Sequence, residues 1–304
     1  MSIFTIFRKR KPMSNKAPKI ILITGASSGF GRDTTETLAA AGHKVFAGVR
    51  DIDGRNKAVA AELRAKGIEP VALDVTSDAS VDSAVASLLA ETGNRLDVVI
   101  NNAGMASAGV SEAFTPDQLR ALFEVNVFGV QRVLRATLPT LRAQGDGLVI
   151  NVGSILGRVT FPFFGLYGAS KYAVEAMTDS YRYELSQLGV DVVLVQPSAY
   201  PTNMYAAAQQ HGDAARATAY GEIGAIPGKM FETFMGIFAS KDAPNPHDVA
   251  EAIATLISAA KGQRPERVVV GQPFGADAIN TAAAPVQRQV VDGLGLGMLA
   301  TIKS

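Results

Sequence analysis

The chain contains no cysteine, and this absence removes several kinds of chemistry. Without thiols there are no disulfides, no thiolate catalysis and no zinc site built on cysteine. Histidine is nearly as scarce, since only His43, His211 and His247 occur in 304 residues. These three lie far apart in the sequence and do not have the spacing of metal ligands. We therefore predict no metal site.

The chain also lacks an excess of charge of either sign. Its 29 Lys and Arg residues nearly balance 28 Asp and Glu residues, which leaves a formal net charge of +1. Because a nucleic-acid-binding protein needs a strong positive field, we exclude that class of partner.

Long apolar runs are missing as well. None approaches the roughly 18 residues that a membrane-spanning helix needs. At the N-terminus, the apolar residues 1–7 precede the basic residues 8–11, which is the reverse of the order in a secretory signal. We interpret residues 1–18 as a disordered leader, with a weak membrane-surface contact as the alternative, and we expect a cytoplasmic protein.

The chain does have a regular alternation of strand and helix patterns. Short apolar runs, typical of strands buried on both faces, alternate with stretches of helical periodicity. The predicted strands cover residues 19–24, 44–49, 70–75, 96–100, 148–152, 191–196 and 267–271. This alternation predicts an α/β fold with a doubly wound, parallel seven-stranded sheet and helices on both faces, the Rossmann fold. Residues 19–272 are predicted to form this single domain.

Two C-terminal stretches depart from the alternation. Residues 204–242 are rich in Ala and Gly and carry a wide apolar stripe of Met and Phe residues. The stripe either packs against the body of the domain or forms a substrate lid over about residues 203–242. Residues 273–304 are interpreted as a tail that could contact another subunit.

A glycine-rich turn follows the first predicted strand and precedes a helix. It reads Gly25-Ala26-Ser27-Ser28-Gly29-Phe30-Gly31. In this context the glycines let the backbone approach a pyrophosphate, and the helix N-terminus offers free N–H groups. A tight turn without a ligand is the alternative, and we favour the nucleotide site.

The second predicted strand ends where dinucleotide-binding folds contact the adenosine ribose. An NAD-dependent enzyme usually has a carboxylate there, whereas this chain has Val49 and then Arg50. A guanidinium suits a 2′-phosphate, so NADP(H) is the predicted cofactor and NAD(H) the alternative. Asp51 and Asp53 lie nearby, and a solvated arginine would give the same pattern.

Polar residues follow other predicted strands at the same edge of the sheet. Asp74 could accept from an adenine amino group or cap the next helix. Residues 101–104, Asn-Asn-Ala-Gly, either admit a flat ligand or form only a turn. A helix is predicted to begin at Pro116 and to continue to about Leu141. Within it Asn126 lies among apolar residues and needs partners, in the helix or in a site. Ser154 follows the fifth strand, thirteen residues before Tyr167.

Tyr167 and Lys171 lie four residues apart on a predicted helix and therefore share one face. An ammonium close to a phenol lowers its pKa from about 10, and reaching about 7 requires about 4 kcal/mol. One lysine does not supply all of this, and an oxidised nicotinamide ring would add positive charge. The pair alone also fits an ordinary helix, but its coincidence with the strand-end residues favours catalysis.

Together these motifs resemble the short-chain dehydrogenase/reductase family in its compact single-domain branch. The likeness covers about residues 19–202 and continues more loosely to residue 271. The matching segments are Thr24 with the glycine turn, Asp74-Val75, Asn101-Asn102-Ala103-Gly104, Asn126, Ser154 and Tyr167-Gly168-Ala169-Ser170-Lys171. The stretch Val49-Arg50-Asp51 is similar to that of NADP-using, hydroxysteroid-dehydrogenase-like members.

The resemblance implies a role for each matched residue. Tyr167 is the implied general acid and base, and Ser154 would bind the substrate oxygen. Lys171 would lower the tyrosine pKa and hold the nicotinamide ribose, while Asn126 would anchor a water of the proton relay. The implied cofactor contacts are Gly25, Ser27, Ser28, Gly29, Phe30, Gly31, Arg50, Asp74, Val75, Asn101, Ala103, Gly104, Tyr167, Lys171, Pro197 and Thr202.

Three positions qualify the resemblance. Phe30 stands where a smaller aliphatic residue is usual, and is expected to change the packing of the glycine turn. Ser198 replaces the usual glycine after Pro197 and is expected to shift the loop beside the nicotinamide. Ser28 stands where some members have a second basic residue for the 2′-phosphate.

The predicted function is an NADP(H)-dependent oxidoreductase that interconverts a carbonyl and a secondary alcohol, with Tyr167 transferring the proton. Aromatic residues within 161–164 and 204–238 favour a bulky, apolar substrate. A sensor that binds NADP(H) without turnover, and a dehydratase or epimerase on the same fold, are the alternatives. The resemblance also implies a homodimer or homotetramer packed through the two long helices.

Overall fold

The computed structural model describes residues 17–303, and its centre is one sheet of seven parallel strands. The strand order is β3-β2-β1-β4-β5-β6-β7. The strands are β1 (Ile20–Thr24), β2 (Lys44–Val49), β3 (Glu69–Ala72), β4 (Val98–Asn101), β5 (Gly147–Val152), β6 (Val190–Pro197) and β7 (Arg267–Val270). The predicted doubly wound fold is confirmed. The leader predicted at residues 1–18 lies, up to residue 16, outside the described residues.

Eleven α-helices are present between residues 17 and 303. They are α1 (Gly29–Ala40), α2 (Lys57–Ala65), α3 (Asp78–Thr92), α4 (Pro116–Phe123), α5 (Gly129–Gln144), α6 (Gly165–Ser186), α7 (Asn203–Ala206), α8 (Ala214–Ala219), α9 (Ile226–Phe238), α10 (His247–Ser258) and α11 (Ala276–Gly293).

Two hydrophobic cores hold these helices against the two faces of the sheet. Side chains alternate along a strand, so Ile21 and Ile23 of β1 point into one core and Leu22 into the other. The first core contains residues of α1, α2 and α10. The second contains residues of α3, α5 and α6. Both faces of the sheet are therefore buried, as the continuously apolar strands predict.

The sheet order places a crevice at the carboxyl end of β1. The chain continues from β1 to β2 and β3 on one side, and then returns to pair β4 with the other side of β1. In open parallel sheets, ligands bind where the strand order reverses in this way. The glycine turn follows β1, and residues 101–104 follow β4, so the fold brings these two predicted segments together.

Two helical regions differ from the sequence-based prediction. The helix expected over residues 116–141 is divided by a π-helical turn, Glu124–Phe128, which contains Asn126. The tail expected after residue 272 instead contains the 18-residue helix α11. Alanine-rich sequence is well suited to a helix. The Asn280 side chain of α11 donates to Gln196 Oε1 of β6 at 2.7 Å, which ties this helix to the domain.

Candidate active site

Two adjoining cavities lie at the carboxyl edge of the sheet. The first has a volume of about 420 Å³ and the second about 250 Å³. Phe30, Asn102, Thr202 and Met204 line both and form the boundary between them. Because the two cavities share these lining residues, a long ligand in the second cavity can present one end to the first.

The glycine turn forms the floor of the second cavity, and its glycines are needed for close packing. Gly25 has a φ of +69°, and a Cβ there would lie 2.8 Å from the Cα of Ala103. Ser28 precedes α1 but its side chain makes no capping hydrogen bond to that helix. The first N–H groups of α1 therefore lack a side-chain acceptor from Ser28, as an anion-binding helix N-terminus requires.

Most residues predicted to bind a cofactor line these two cavities. The second cavity is lined by Gly25, Ser27, Ser28, Gly29, Phe30, Gly31, Arg50, Val75, Ala103, Gly104 and Thr202. The first is lined by Pro197, Tyr167 and Lys171. Asp74 and Asn101 line neither of them.

The side chain of Asn101 points into the interior, which corrects the prediction that it lines the adenosine side. Its Nδ2 donates to Asn151 Oδ1 at 2.9 Å, and Asn151 Nδ2 donates to Thr178 Oγ1 at 2.9 Å. Asn102 lines both cavities instead, and its Nδ2 donates to the Thr24 carbonyl at 2.9 Å. Because β4 ends at Asn101, the alternation of strand side chains continues through that residue and turns it inward.

Asp74 does not cap α3, one of the two roles considered for it, and its contact with an adenine amino group stays a prediction. Its Oδ1 accepts from the backbone N–H and the hydroxyl of Thr76, at 3.0 and 2.8 Å. The cap of α3 is Ser77, whose Oγ accepts from the Ser80 N–H at 3.2 Å. The Asp74 carboxylate thus holds the loop after β3, next to Val75, which does line the second cavity.

Ser154, Tyr167 and Lys171 meet in the wall of the first cavity. The Ser154 side chain lies close to the Tyr167 hydroxyl and acts to lower its pKa. The Ser154 Oγ is fixed by the Leu156 N–H, which donates to it at 3.1 Å. Lys171 Nζ donates to the Val152 carbonyl at 3.0 Å and lies 5.7 Å from the centroid of the Tyr167 ring. The end of β5 and the first turns of α6 therefore bring a phenol, a hydroxyl and an amine to one place.

Burial determines the protonation of Tyr167 and Lys171. It raises the tyrosine pKa, which the lysine was predicted to lower. Burial raises the pKa of Tyr167 to about 12, and Ser154 only partly opposes this shift. Burial also lowers the pKa of Lys171 to about 8. The protein's own groups therefore do not lower the tyrosine pKa as expected, because desolvation disfavours the charged form of each side chain.

Asn126 lies behind the first cavity and uses its side chain to hold the backbone. Its Oδ1 accepts from the Met105 N–H, and its Nδ2 donates to the Met105 carbonyl, both at 2.9 Å. The same Nδ2 donates to Ser170 Oγ at 3.0 Å. The side chain therefore connects the segment after β4 to α6. The role of Asn126 in anchoring a water stays a prediction.

The remaining walls of the first cavity are largely apolar and come from three segments. Phe161 and Phe164 precede α6, as predicted for a segment that covers a substrate. Met204 and Tyr205 of α7, together with Phe231 and Phe234 of α9, form the opposite wall. Sequence reasoning missed Tyr205, whose only signal was an aromatic residue shortly after the last strand-end motif.

The unusual Phe30 has a partner that explains it. Its ring packs edge to face on Tyr200 with centroids 5.6 Å apart, and Tyr200 is almost completely buried. The Tyr200 hydroxyl donates to Asp248 Oδ2 of α10 at 3.3 Å. The larger side chain thus joins the glycine turn to the loop after β6.

A comparison with known families decides the classification. The family described as short chain dehydrogenase matches residues 19–213. The chain belongs to this family. This match begins just before β1. It includes the glycine turn and residues 101–104, as well as Ser154, Tyr167 and Lys171.

Individual relatives agree with the family assignment. The 3-ketodihydrosphingosine reductase of Bacteroides thetaiotaomicron is 38% identical over 185 residues, which is 61% of this chain and 65% of the relative. The solved structure of a short-chain dehydrogenase from Streptomyces avermitilis has a TM-score of 0.73 and 31% identity. It covers 93% of this chain and 98% of its own. The likeness in structure thus extends well beyond the family match.

Two further solved structures carry different cofactors. An actinorhodin polyketide ketoreductase with NADPH has a TM-score of 0.70 and 25% identity, and covers 85% of this chain and 97% of its own. A short-chain dehydrogenase/reductase from Burkholderia phymatum in complex with NAD has a TM-score of 0.71 and 25% identity, and covers 90% and 95%. Similar folds therefore accept either nicotinamide dinucleotide.

Between residues 17 and 303, no group of three or more His, Cys, Asp or Glu side chains could hold a metal ion. Over the same range, no helix has the length and apolarity needed to cross a bilayer.

Proposed function

We propose that the protein is an NADP(H)-dependent oxidoreductase that interconverts a carbonyl and a secondary alcohol, with Tyr167 as the general acid and base. The observation that carries this proposal is the meeting of Tyr167, Ser154 and Lys171 in the wall of the first cavity. This cavity adjoins the second one, which is lined by the glycine turn. A carbonyl oxygen bound in the first cavity accepts from the Tyr167 and Ser154 hydroxyls at once.

The lining of the second cavity supports its assignment to a dinucleotide. Gly25 and Gly31 let the turn pack closely against Asn102 and Ala103 in the cavity wall, and Ser28 leaves the N-terminus of α1 uncapped for a pyrophosphate. Arg50 lies at the end of β2 on the rim of the same cavity. Bound there, the cofactor supplies or accepts the hydride. Thr202 and Pro197 lie at the end nearest Tyr167 and would orient its reactive ring.

The protonation of Tyr167 suits reduction. With its pKa raised to about 12, this residue is a neutral phenol at neutral pH and can donate its proton to the oxygen of a reacting carbonyl. The Ser154 hydroxyl stabilises the negative charge that develops on that oxygen. Lys171 adds positive charge beside the phenol as it loses its proton. In the oxidation direction Tyr167 must first become a phenolate, which burial disfavours.

The apolar walls support a bulky, apolar substrate covered by the lid predicted over about residues 203–242. Apart from Lys171, no charged residue lines the first cavity. Phe164, Phe234 and Tyr205 form a chain of ring contacts with centroids 6.4 and 5.8 Å apart. Burying an apolar chain against these rings stabilises the complex by about 25 cal/mol per Å².

Exposed aromatic residues support the homo-oligomer expected from the two long helices. Phe128, immediately before α5, and Tyr172 of α6 are 50% and 43% exposed. These two rings lie at the start of one long helix and on the other, where the expected subunit contact would cover them.

A turnover assay tests the proposed activity. NADPH oxidation is followed with a panel of long-chain, cyclic and aromatic ketones and aldehydes, and products are identified. Turnover to secondary alcohols is the expected result. Tight NADPH binding without turnover on any of them would favour the sensor, and a dehydrated or epimerised product would favour the other alternative.

Replacement of Arg50 by alanine tests the NADP preference. Because a hydrogen bond to a charged group contributes about 1.5–3 kcal/mol, we expect kcat/KM for NADPH to fall about 10- to 100-fold, with little change for NADH. Asp51 does not compete for this site, since its Oδ2 accepts from the Arg55 N–H at 3.0 Å. Steady-state kinetics with both cofactors provide the measurement.

The matched control for this experiment is Arg64→Ala. Arg64 is an exposed arginine in the last turn of α2 that does not line the second cavity. It should leave the cofactor ratio unchanged. A wild-type enzyme that prefers NADH, or an Arg50→Ala variant with an unaltered ratio, would refute the NADP preference.

A further inference from the structure

A buried ion-pair cluster lies on α6, outside the linings of both cavities. At its centre is Glu175, one turn after Lys171, which is 3% exposed. Arg267 Nε of β7 donates to Glu175 Oε2 at 3.1 Å, and Gln196 Nε2 of β6 donates to Glu175 Oε1. Arg158 Nε lies 3.0 Å from the same Oε2. A buried charge needs such partners, yet the proposed reduction gives this carboxylate no chemical step.

Arg158 belongs to the same tight turn as Ser154, which we call the Ser154 turn (residues 154–158). The Gly157 N–H donates to the Ser154 carbonyl at 3.0 Å, and the Arg158 N–H donates to the Ile155 carbonyl at 2.9 Å. Because these hydrogen bonds make the turn one unit, a shift of Arg158 also shifts the Ser154 side chain.

The Ser154 turn packs directly on α6. A Cβ on Gly157 would lie 2.9 Å from Glu175 Cγ and 3.1 Å from the Lys171 carbonyl oxygen, so this contact needs a glycine. The Tyr172 hydroxyl of α6 donates to the Arg158 carbonyl at 2.6 Å. Arg158 is therefore held to α6 through its main chain by Tyr172 and through its side chain by Glu175.

Ser154 and Tyr167 come from different segments, since Ser154 follows β5 and Tyr167 lies in the first turn of α6. The proposed reduction needs both hydroxyls on one carbonyl oxygen. An error of about 1 Å in such a geometry can lower a rate about 100-fold. Side chains locked by ion pairs and hydrogen bonds provide the necessary precision. Glu175 is such a side chain, because it fixes the Ser154 turn against the helix that carries Tyr167.

We propose that Glu175 is a positioning residue, whose carboxylate pairs with Arg158 and thereby sets the separation of the Ser154 and Tyr167 hydroxyls without touching the substrate. This inference rests on the proposed carbonyl reduction. It adds a buried residue outside the cavity to the groups on which the rate of that reaction depends.

Glu175→Gln tests the proposal, because the substitution keeps the shape of the side chain and removes its charge. Arg158 then loses its ionic partner, and the Ser154 turn can move away from α6. We expect kcat for ketone reduction to fall about 10- to 100-fold, whereas KM for the ketone and the NADPH dissociation constant stay within about threefold of wild type. In crystal structures, the distance from Ser154 Oγ to Tyr167 Oη should be about 1 Å longer in the variant than in the wild type.

Asp179→Asn is the matched control. Asp179 lies one turn further along α6, and its carboxylate contacts the same Arg267. It lies 4.0 Å from Arg158 Nη2, farther than Glu175 lies from Arg158 Nε. This variant should lose thermal stability but keep kcat within about twofold and leave the distance between the two hydroxyls unchanged. A loss of kcat as large as that of Glu175→Gln would show that general destabilisation is the cause, and would overturn the positioning role.

Arg158→Gln breaks the same pair from its less buried side and should give the same loss of kcat and the same longer distance. If neither Glu175→Gln nor Arg158→Gln changes kcat and the distance, the pair does not position the hydroxyls. The distance also separates the two hypotheses. If the wild type reduces no ketone but the distance grows in these variants alone, the proposed reduction is wrong and the positioning role of Glu175 stands. If the distance is unchanged, the positioning role is wrong whatever the activity.

Discussion

Tyr167→Phe is expected to lower kcat for carbonyl reduction about 10²–10⁴-fold, the usual contribution of a positioned general acid. The substitution removes only the Tyr167 hydroxyl and leaves the ring in its buried place beside Lys171. Single-turnover kinetics with saturating NADPH measure the loss. Because the second cavity is lined by other residues, the NADPH dissociation constant should stay within about threefold of the wild-type value.

Tyr181→Phe provides the control on the same helix. The Tyr181 hydroxyl contacts Gln131 of α5, and Tyr181 lies outside the cavity. This variant should retain wild-type kcat within a factor of about two. A Tyr167→Phe enzyme with more than about a tenth of wild-type kcat would show that another group donates the proton. A large loss of NADPH affinity would instead indicate that the substitution disturbs the cofactor cleft.

The fold was predictable because the sheet is buried on both faces. Each strand is then a continuous apolar run, and the intervening helical periodicity forces a parallel arrangement with crossovers. The glycine turn and the strand-end residues followed from the same pattern, since parallel strands present all their carboxyl ends at one edge. The prediction that Asn101 lines the adenosine side was wrong. The point at which a strand ends decides whether its last residue faces the interior or the cleft, and the sequence places that end only approximately.

Other features depend on tertiary contacts that sequence spacing does not carry. The four-residue spacing of Tyr167 and Lys171 correctly placed them on one helix face, but the burial that raises the tyrosine pKa comes from the surrounding walls. Tyr205 belongs to a segment with no strand-helix alternation, and its position depends on the packing of α9. The alanine-rich sequence of α11 has high helix propensity, yet its attachment through Asn280 is a long-range contact.

Gly31→Ala is expected to weaken NADPH binding at least tenfold and to destabilise the protein by about 1–3 kcal/mol, the usual cost of overpacking. A Cβ at this position in the first turn of α1 would fall well inside van der Waals contact with the carbonyl oxygen of Gly25 and the Nδ2 of Asn102. Because the contact with Gly25 is a contact with backbone, the turn cannot relax by moving a side chain alone. The glycine turn must then move away from Asn102, which lines both cavities.

The matched control is Gly293→Ala, at the end of α11, where an added Cβ meets nothing within 4 Å. Alanine should stabilise that position by about 0.5–1 kcal/mol because glycine loses more backbone entropy on folding. Denaturant unfolding and NADPH titration of the two variants separate the general effect of a glycine substitution from the local one. If Gly31→Ala bound NADPH as tightly as Gly293→Ala, the cofactor could not depend on close packing of the glycine turn, and the assignment of the second cavity to the dinucleotide would be wrong.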